Sequence, residues 1–240
     1  MSISTRISIA WGPSFTHSEP TDTLVLTAKT YFVDQRLLKP DNPSTPQSVS
    51  WAFAGTSTSH PVPDTPNHRR GVWTHLVSSV PFAKGEKPSD EGILCPHPDH
   101  PNDPEVWLET GSMVNPETGI VTEYEEVWRD RQPDVGSEVT VWEYGDDETG
   151  PENRGFLAVV GEHALGVGRV DGAFWTWRAL KNGEAGDWRV VFEVYEGTGG
   201  RKGFKLLEFQ LEKAIPGITK VEDENKVVTW TCREAWAVKE

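Results

Sequence analysis

The sequence has little cysteine. Its 240 residues include only Cys95 and Cys232, which lie far apart, and no Asn-x-Ser/Thr acceptor site for glycosylation occurs. Two such cysteines are more simply free thiols of a reducing compartment than a disulfide framework. The amino-terminal segment alternates apolar and polar residues and lacks the continuous apolar stretch of a signal peptide. We therefore expect a cytoplasmic protein, with the nucleus as a second location.

Long apolar runs and basic runs are also absent. No apolar stretch reaches the roughly 18 residues that a membrane span needs, so we expect no membrane insertion. Asp and Glu number 37 against 23 Lys and Arg, and most of such a surface would repel a phosphate backbone. Nucleic acid is therefore not an expected partner.

No motif completes a catalytic or metal site. Cys95, His97 and His100 gather a thiol and two imidazoles, but the prolines between them favour an extended loop, and no second cluster supplies further ligands. The Gly-x-Ser-x-Gly pattern of a nucleophile elbow does not occur. We expect neither a metal nor a cofactor, and the catalytic residues, if any exist, are unknown from the sequence.

Short apolar segments are what the chain does contain. They follow one another closely, and loops rich in proline, serine and aspartate separate them. This spacing is typical of β-barrels and sandwiches, and almost no segment has helical periodicity. A polar, turn-prone stretch over 129–136 divides the chain near its middle. We predict an all-β fold of antiparallel strands with little helix, divided into an amino-terminal domain of residues 1–133 and a carboxy-terminal domain of residues 134–240.

The two halves end on similar segments, YEEVW at 124–128 and CREAW near the carboxy terminus. Because side chains alternate along a strand, Glu126 is expected beside the tyrosine and tryptophan of its own segment. Glu234 is expected beside Cys232 and Trp236 for the same reason. The pattern predicts a duplicated domain, and chance similarity of two terminal strands is the alternative.

Each of these glutamates requires a partner if it faces the interior. A carboxylate enclosed by aromatic side chains costs several kcal/mol unless it is paired, hydrogen-bonded or neutral. An arginine follows an early apolar segment by ten residues in each half, Arg36 in the first and Arg169 in the second. We predict inward-facing pairs of Arg36 with Glu126 and of Arg169 with Glu234. The alternative is that both glutamates face water at a barrel rim.

The 11 tryptophans allow two interpretations. Most can fill a core, but some can line a cavity, because barrels of about eight strands either fill with side chains or hold one small ligand. Trp175 and Trp177 share one strand face and Phe174 lies on the other, so one of these sets must face solvent, the other domain or a partner. The candidate ligand-binding residues are therefore Arg36, Tyr124, Glu126, Trp128, Arg169, Trp175, Glu234 and Trp236.

Several blocks resemble the fungal HRI proteins, a family named for interaction with a casein-kinase-I-type kinase. The most specific block is Trp51-Ala-Phe-Ala-Gly-Thr56, and the resemblance continues through Glu109-Thr-Gly111, Glu126-Val-Trp128 and Gly168-Arg169 to the segment around Trp230. The resemblance covers most of the chain and is looser in the second half. It implies two lipocalin-like β-barrels in tandem, and it carries over no catalytic residue.

Three functions are compatible with these observations. The first is non-enzymatic binding of a small apolar ligand in a barrel cavity. The second is interaction with a protein such as a kinase through acidic loops, of which 143–149 is an example, with Thr149 downstream of several acids. The third is a cofactor-independent isomerase or cyclase of hydrophobic metabolites, in which an Arg–Glu pair would polarise a carbonyl group.

Overall fold

The chain folds almost entirely into β-strands. The structure, a computed structural model, describes residues 1–42, 44–182, 187–196, 218–223 and 226–239. Within these ranges the one helical element is a short 3-10 turn at Pro151–Asn153, and no helix is long and apolar enough to cross a membrane. The predicted all-β class with little helix is confirmed.

The first eight strands form a closed antiparallel barrel. Each strand pairs with the next along the chain, and the eighth pairs with the first to close the sheet. Closure leaves no unpaired edge in this part of the molecule. The strands are β1 (Ser2–Trp11), β2 (Thr21–Thr27), β3 (Tyr31–Leu38), β4 (Ser48–Pro61), β5 (Arg69–Ser78), β6 (Ser89–Pro96), β7 (Val106–Val114) and β8 (Val121–Arg131).

The remaining strands form a second sheet of seven strands in the order β13-β12-β11-β10-β9-β15-β14. In chain order, the last strand of this sheet, β15, pairs with the first, β9, just as β8 pairs with β1 in the barrel. The chain between β13 and β14 lies outside the described residues, so the second barrel of the tandem stays a prediction, as does the domain division at residue 133. The strands are β9 (Glu138–Tyr144), β10 (Gly155–Val160), β11 (His163–Val170), β12 (Ala173–Asn182), β13 (Asp187–Tyr195), β14 (Ile218–Asp223) and β15 (Lys226–Ala237).

The outer wall of the barrel packs against the second sheet and forms the largest core cluster. Leu24 and Val33 project from the barrel wall, and Phe156 and Leu165 project from the facing strands. Every residue of β10 is buried because both faces of that strand are covered. Phe156 contacts the barrel side, whereas Leu157 contributes to a separate core on the far side of the sheet.

That far core contains most of the tryptophans of the second sheet. Trp175 and Trp177 pack there with Trp230, whereas Phe174 belongs to the core against the barrel. Phe174 therefore faces the barrel. Of solvent, the other domain and a partner, the structure thus places the other domain next to this side chain. Glycine is required on β11 opposite these rings, because a Cβ atom at Gly168 would lie 2.3 Å from the Trp175 ring.

Buried hydrogen bonds cross the same interface. Gln35, which is fully buried, donates to Thr176 Oγ1 at 2.8 Å and accepts from Arg178 Nε at 2.9 Å. Arg178 also donates to Asp22 Oδ1 at 3.0 Å. Because a buried polar group without a partner is costly, this network fixes the sheet in one position on the barrel.

Replacement of Arg178 by alanine should destabilise the protein. The change leaves the Gln35 side-chain oxygen buried without its donor, and such losses cost about 1–3 kcal/mol. The measurement is the free energy of unfolding from urea denaturation. Arg189→Ala, at an exposed position of β13, is the matched control and should change stability by less than about 0.5 kcal/mol. Equal effects of the two variants would contradict the role of the network.

Candidate functional site

The interior of the barrel encloses a cavity of about 490 Å³. Its walls come from the inward-facing side chains of all eight strands. The part of the chain that forms the second sheet contributes no residue to the described lining. The aromatic members of the wall are Phe32, Phe53, Trp73, Trp107, Tyr124 and Trp128.

The two ends of the cavity differ. Lys29, Ser59, Arg69 and Gln132 lie at the end where β2 meets β3, β4 meets β5 and β8 stops, and all four are exposed. This end is the mouth. Towards the opposite end, the lining residue Glu126 is bound by Arg6, whose guanidinium also donates to Thr21 at the start of β2. The cavity is therefore a pocket with one polar rim and a charged floor.

Strand β8 places three of the candidate residues in this cavity. Tyr124, Glu126 and Trp128 alternate with outward-facing residues and all line the cavity, and each is less than 9% exposed. The same-face arrangement therefore follows the alternation expected from the sequence. That these residues bind a ligand stays a prediction.

Glu126 is held by two arginines at the floor. Arg6 Nη1 lies 2.5 Å from Glu126 Oε1, and Arg36 Nη1 lies 3.5 Å from the same oxygen. The predicted Arg36–Glu126 pair thus forms, but as the longer of two contacts. Arg6 is also bound by Glu19 at 2.8 Å and donates to Thr21 at 2.7 Å. The buried carboxylate at Glu126 is therefore fully compensated.

Arg36 is bound more closely by a neighbour on its own strand. Its Nη2 lies 2.8 Å from Asp34 Oδ2, and its guanidinium lies over the Trp51 and Phe53 rings at 5.1 and 5.5 Å from their centroids. Burial alone would lower the pKa of Arg36, but the charges of Asp34 and Glu126 outweigh burial and raise it. The guanidinium is a permanent cation in the cavity.

A second glutamate, Glu109, lies directly across from Glu126 in the β7–β8 pairing. It is 6% exposed and accepts a hydrogen bond from Tyr124 Oη at 2.7 Å. Burial first, and then the charge of Glu126, raise the pKa of Glu109 to about 8, although the Tyr124 hydrogen bond and Arg36 oppose the shift. The neutral form of Glu109 is therefore favoured, and Glu109 shares the site with the arginine-bound carboxyl group of Glu126.

Tyr124 remains a neutral phenol in this setting. Burial, followed by the charges of Glu109 and Glu126, raises the pKa of Tyr124 far above its ordinary value. The Trp128 indole N–H also favours the ionised form of Glu109, although it makes no hydrogen bond of good geometry with a protein atom. The cavity thus holds a neutral acid, a phenol and an indole N–H beside one another.

The expected Arg169–Glu234 pair does not form, because both side chains have other partners. Glu234 accepts hydrogen bonds from the backbone N–H groups of Lys29 and Thr30 at 2.9 and 3.1 Å, in the β2–β3 turn. Arg169 donates to the Ser78 carbonyl oxygen at 2.9 Å, as part of the contact between sheet and barrel. Each side chain therefore forms its own hydrogen bonds between the second sheet and the barrel.

The expected position of Glu234 beside Cys232 is also wrong. A β-bulge lies between Cys232 and Glu234 where β15 pairs with β9, and a bulge shifts all later side chains to the opposite face. Cys232 consequently contacts the far core, whereas Trp236 packs on the barrel side. The alternation of side chains along β15 is therefore interrupted at this bulge.

The last two candidates from the second half also lie away from the barrel cavity. Trp175 packs in the far core and donates to Tyr144 Oη at 3.2 Å. Trp236 is half-buried at the interface, with Lys29 Nζ 4.6 Å from its ring centroid. Of the eight candidates, the structure brings together only the four of the first half.

The second sheet has its own buried glutamate, Glu143 on β9. It lies 2.5 Å from Arg154 and 2.6 Å from Arg233, and it is 2% exposed. Both halves thus hold a glutamate between two arginines, but the second glutamate lies on the barrel side of the sheet, away from the described cavity.

The family model described as Protein HRI1 matches residues 2–239. The chain belongs to the HRI1 family. The resemblance drawn from the sequence blocks is therefore confirmed over essentially the whole chain. No curated protein and no solved structure matched the chain.

Four residues of the ionisable network in and below the cavity of this HRI1-family barrel are missing from the sequence-based candidates. Two of them could have been predicted from their spacing in the sequence. Glu109 lies two positions from Trp107, the same separation as between the glutamate and tryptophan of β8. Asp34 lies two positions before Arg36. Such spacing places both members of a pair on one strand face. Arg6 and Glu19 carried no comparable signal, since their partners are distant in sequence. The missed residues are Arg6, Glu19, Asp34 and Glu109.

Replacement of Glu109 by glutamine should flatten the loss of stability between about pH 4.5 and pH 8. A carboxyl group with a raised pKa contributes its full stability below its ordinary pKa of 4.5 and loses it as the pH rises towards 8. The wild-type free energy of unfolding should therefore fall by about 1 kcal/mol per pH unit within this window, relative to Glu109→Gln. Glu123→Gln, an exposed change on the same barrel, should keep the wild-type profile. Parallel profiles for wild type and Glu109→Gln would show that Glu109 is ionised in the folded state.

Proposed function

We propose that the barrel is a non-enzymatic binding module for a small, largely apolar ligand. The observation that carries the proposal is the aromatic-walled cavity of about 490 Å³ with a few buried polar groups. Small-molecule sites commonly measure about 300–1,000 Å³ and combine these two features. Membership of the HRI1 family and the β-barrel fold are compatible with a binding protein.

The polar groups are suited to orient a ligand. The apolar wall formed by residues such as Phe32 and Trp128 would exclude water from a bound molecule. Glu109 and Tyr124 would then contact its polar end in a medium of low dielectric constant, where hydrogen bonds discriminate well. The ligand would enter by the polar rim.

The catalytic alternative needs a group free to polarise a carbonyl. The cavity does contain Arg36 and Glu126, which is what that alternative requires. However, Arg36 is bound by Asp34 and Glu126 is bound by Arg6. Because these charges already compensate one another, binding is favoured over isomerisation or cyclisation.

We propose interaction with a casein-kinase-I-type kinase as a second function. The observation that favours it is an exposed acidic turn at 146–149. The turn is ordered by Asp146, which accepts hydrogen bonds from the backbone N–H groups of Glu148 and Thr149 at 2.9 Å. Thr149 Oγ1 itself accepts from the Asp146 N–H at 2.8 Å, so the turn is better suited to be a contact surface than a modified site.

The ligand proposal is tested by filling the cavity. Val25→Trp places a large ring in the cavity lining and should abolish retention of a small molecule by protein purified from its source, as measured by native mass spectrometry. Val121→Trp, the same change at an exposed position on β8, is the matched control and should retain the molecule. Circular dichroism checks that both variants fold. Wild-type protein without a bound molecule, or retention by Val25→Trp, would count against the cavity.

The kinase proposal is tested by removing charge from the turn. The double change Asp147→Asn and Glu148→Gln should weaken binding to a purified casein-kinase-I-type kinase by about threefold to tenfold, because rim charges mainly affect electrostatic attraction. Surface plasmon resonance at two salt concentrations provides the measurement. The pair Glu123→Gln and Glu125→Gln removes the same charge from β8 and should have little effect. Wild-type binding by the turn variant would exclude this surface.

A further inference from the structure

The barrel cavity has an excess of acidic groups. Five carboxyl side chains and three basic side chains line it. With Glu109 neutral, the four other carboxyl side chains still outnumber the three basic ones, so the field of these side chains favours positive over negative charge. The acidic side chains are Asp34, Asp90, Glu109, Glu126 and Asp130, and the basic ones are Lys29, Arg36 and Arg69.

Only one of the basic side chains, Arg36, lies below the exposed rim of the cavity, and it already has a carboxylate partner. Arg36 is bound by Asp34, and Lys29 lies over the Trp236 ring at the interface with the second sheet. Arg69 donates to Ser59 at the rim, with its Nε 2.8 Å from the Ser59 hydroxyl. Below the rim, an anionic ligand would therefore meet, among the basic side chains of the described lining, only an arginine that already has a carboxylate partner.

Two acidic side chains of the described lining, Asp130 and Glu109, have no ion pair, and of these only Glu109 is buried. Glu126 is bound by Arg6, Asp90 lies 3.0 Å from His75, and Asp130 accepts a hydrogen bond from a serine hydroxyl. Glu109 has no ion pair within the described part of the chain, and it accepts a hydrogen bond from Tyr124. Glu109 is thus the carboxyl group that an entering cation could ionise.

The aromatic wall suits a cation as well. Ring faces attract an organic cation within about 6 Å of the ring centroid. Arg36 already shows this arrangement, because its guanidinium lies over the Trp51 and Phe53 rings. Further ring systems of the lining, Trp73, Trp107 and Trp128, remain for a ligand.

We propose that the ligand of the barrel is an organic amine with an apolar body, and that Glu109 is its counter-ion. This inference rests on the proposed ligand-binding function and names the chemical class of the ligand. The ammonium group keeps its proton, and the Glu109 carboxyl group releases its own proton to solvent as the ion pair forms. Binding of an amine is therefore coupled to proton release, whereas binding of a neutral ligand is not.

The test uses three probes with one carbon skeleton: 4-phenylbutylamine, 4-phenylbutan-1-ol and 4-phenylbutyrate. Isothermal titration calorimetry at pH 7, in two buffers of different ionisation enthalpy, measures both affinity and proton release. We expect the amine to bind at least about tenfold more tightly than the alcohol, since about 1.4 kcal/mol corresponds to tenfold. The butyrate should bind most weakly. The amine should release a substantial fraction of one proton, and the alcohol none.

Glu109→Gln should remove the discrimination. Glutamine retains an oxygen that can accept the Tyr124 hydrogen bond but cannot ionise. The variant should lose about tenfold in amine affinity and all of the proton release, while alcohol affinity stays within about twofold. Glu123→Gln, the exposed control, should behave as wild type. This comparison separates the charge of Glu109 from any structural effect, because a damaged cavity would weaken the alcohol too.

The outcomes separate this inference from the proposed function. Equal binding of amine and alcohol without proton release would overturn the amine inference and leave a ligand-binding barrel. Tightest binding of the butyrate would overturn the inference in the same way. Failure of all three probes to bind, at concentrations up to their solubility, would overturn both.

Discussion

This structure depends on strands that have a different environment on each face, with the barrel cavity on one side and the second sheet on the other. Strand β3 illustrates it: Val33 and Gln35 point outward into the interface with the second sheet, while Asp34 and Arg36 point into the cavity. Because side chains alternate, one strand supplies both the interface and the site. A one-residue slip in register would exchange the two sets and bury the ion pair among apolar side chains. Interface stability and site geometry are therefore linked.

The charges inside the barrel follow from the cost of burial. Two arginines and the carboxylates at Glu126, Asp34 and Glu19 compensate one another, so each ion has a partner within 3.5 Å. Glu109 is the remaining acid beside this network, and remaining neutral is the less costly state for it. The same arrangement that keeps the floor rigid leaves one group whose charge an entering ligand can change.

The two halves use tryptophan differently. In the barrel, rings such as Trp73 and Trp107 line the cavity. In the second sheet, Trp175 and Trp177 on β12 pack against glycines of the neighbouring strand β11. A Cβ atom at Gly166 would lie 2.4 Å from the Trp177 ring, so these rings fill the volume next to the sheet. The halves share a strand pairing in which the last strand returns to the first, and the described cavity belongs to one of them.

The sequence by itself determined the all-β class, the HRI1 resemblance and the inward face of β8, because these depend on local alternation and on contiguous blocks. The contact of Arg36 with Glu126 also followed from the cost of an unpaired buried carboxylate. Only the tertiary structure decided that Arg6 binds Glu126 most closely, since that contact joins residues 120 positions apart. It also decided that Glu234 leaves the expected face, because one bulged residue reverses alternation and no local pattern marks the bulge.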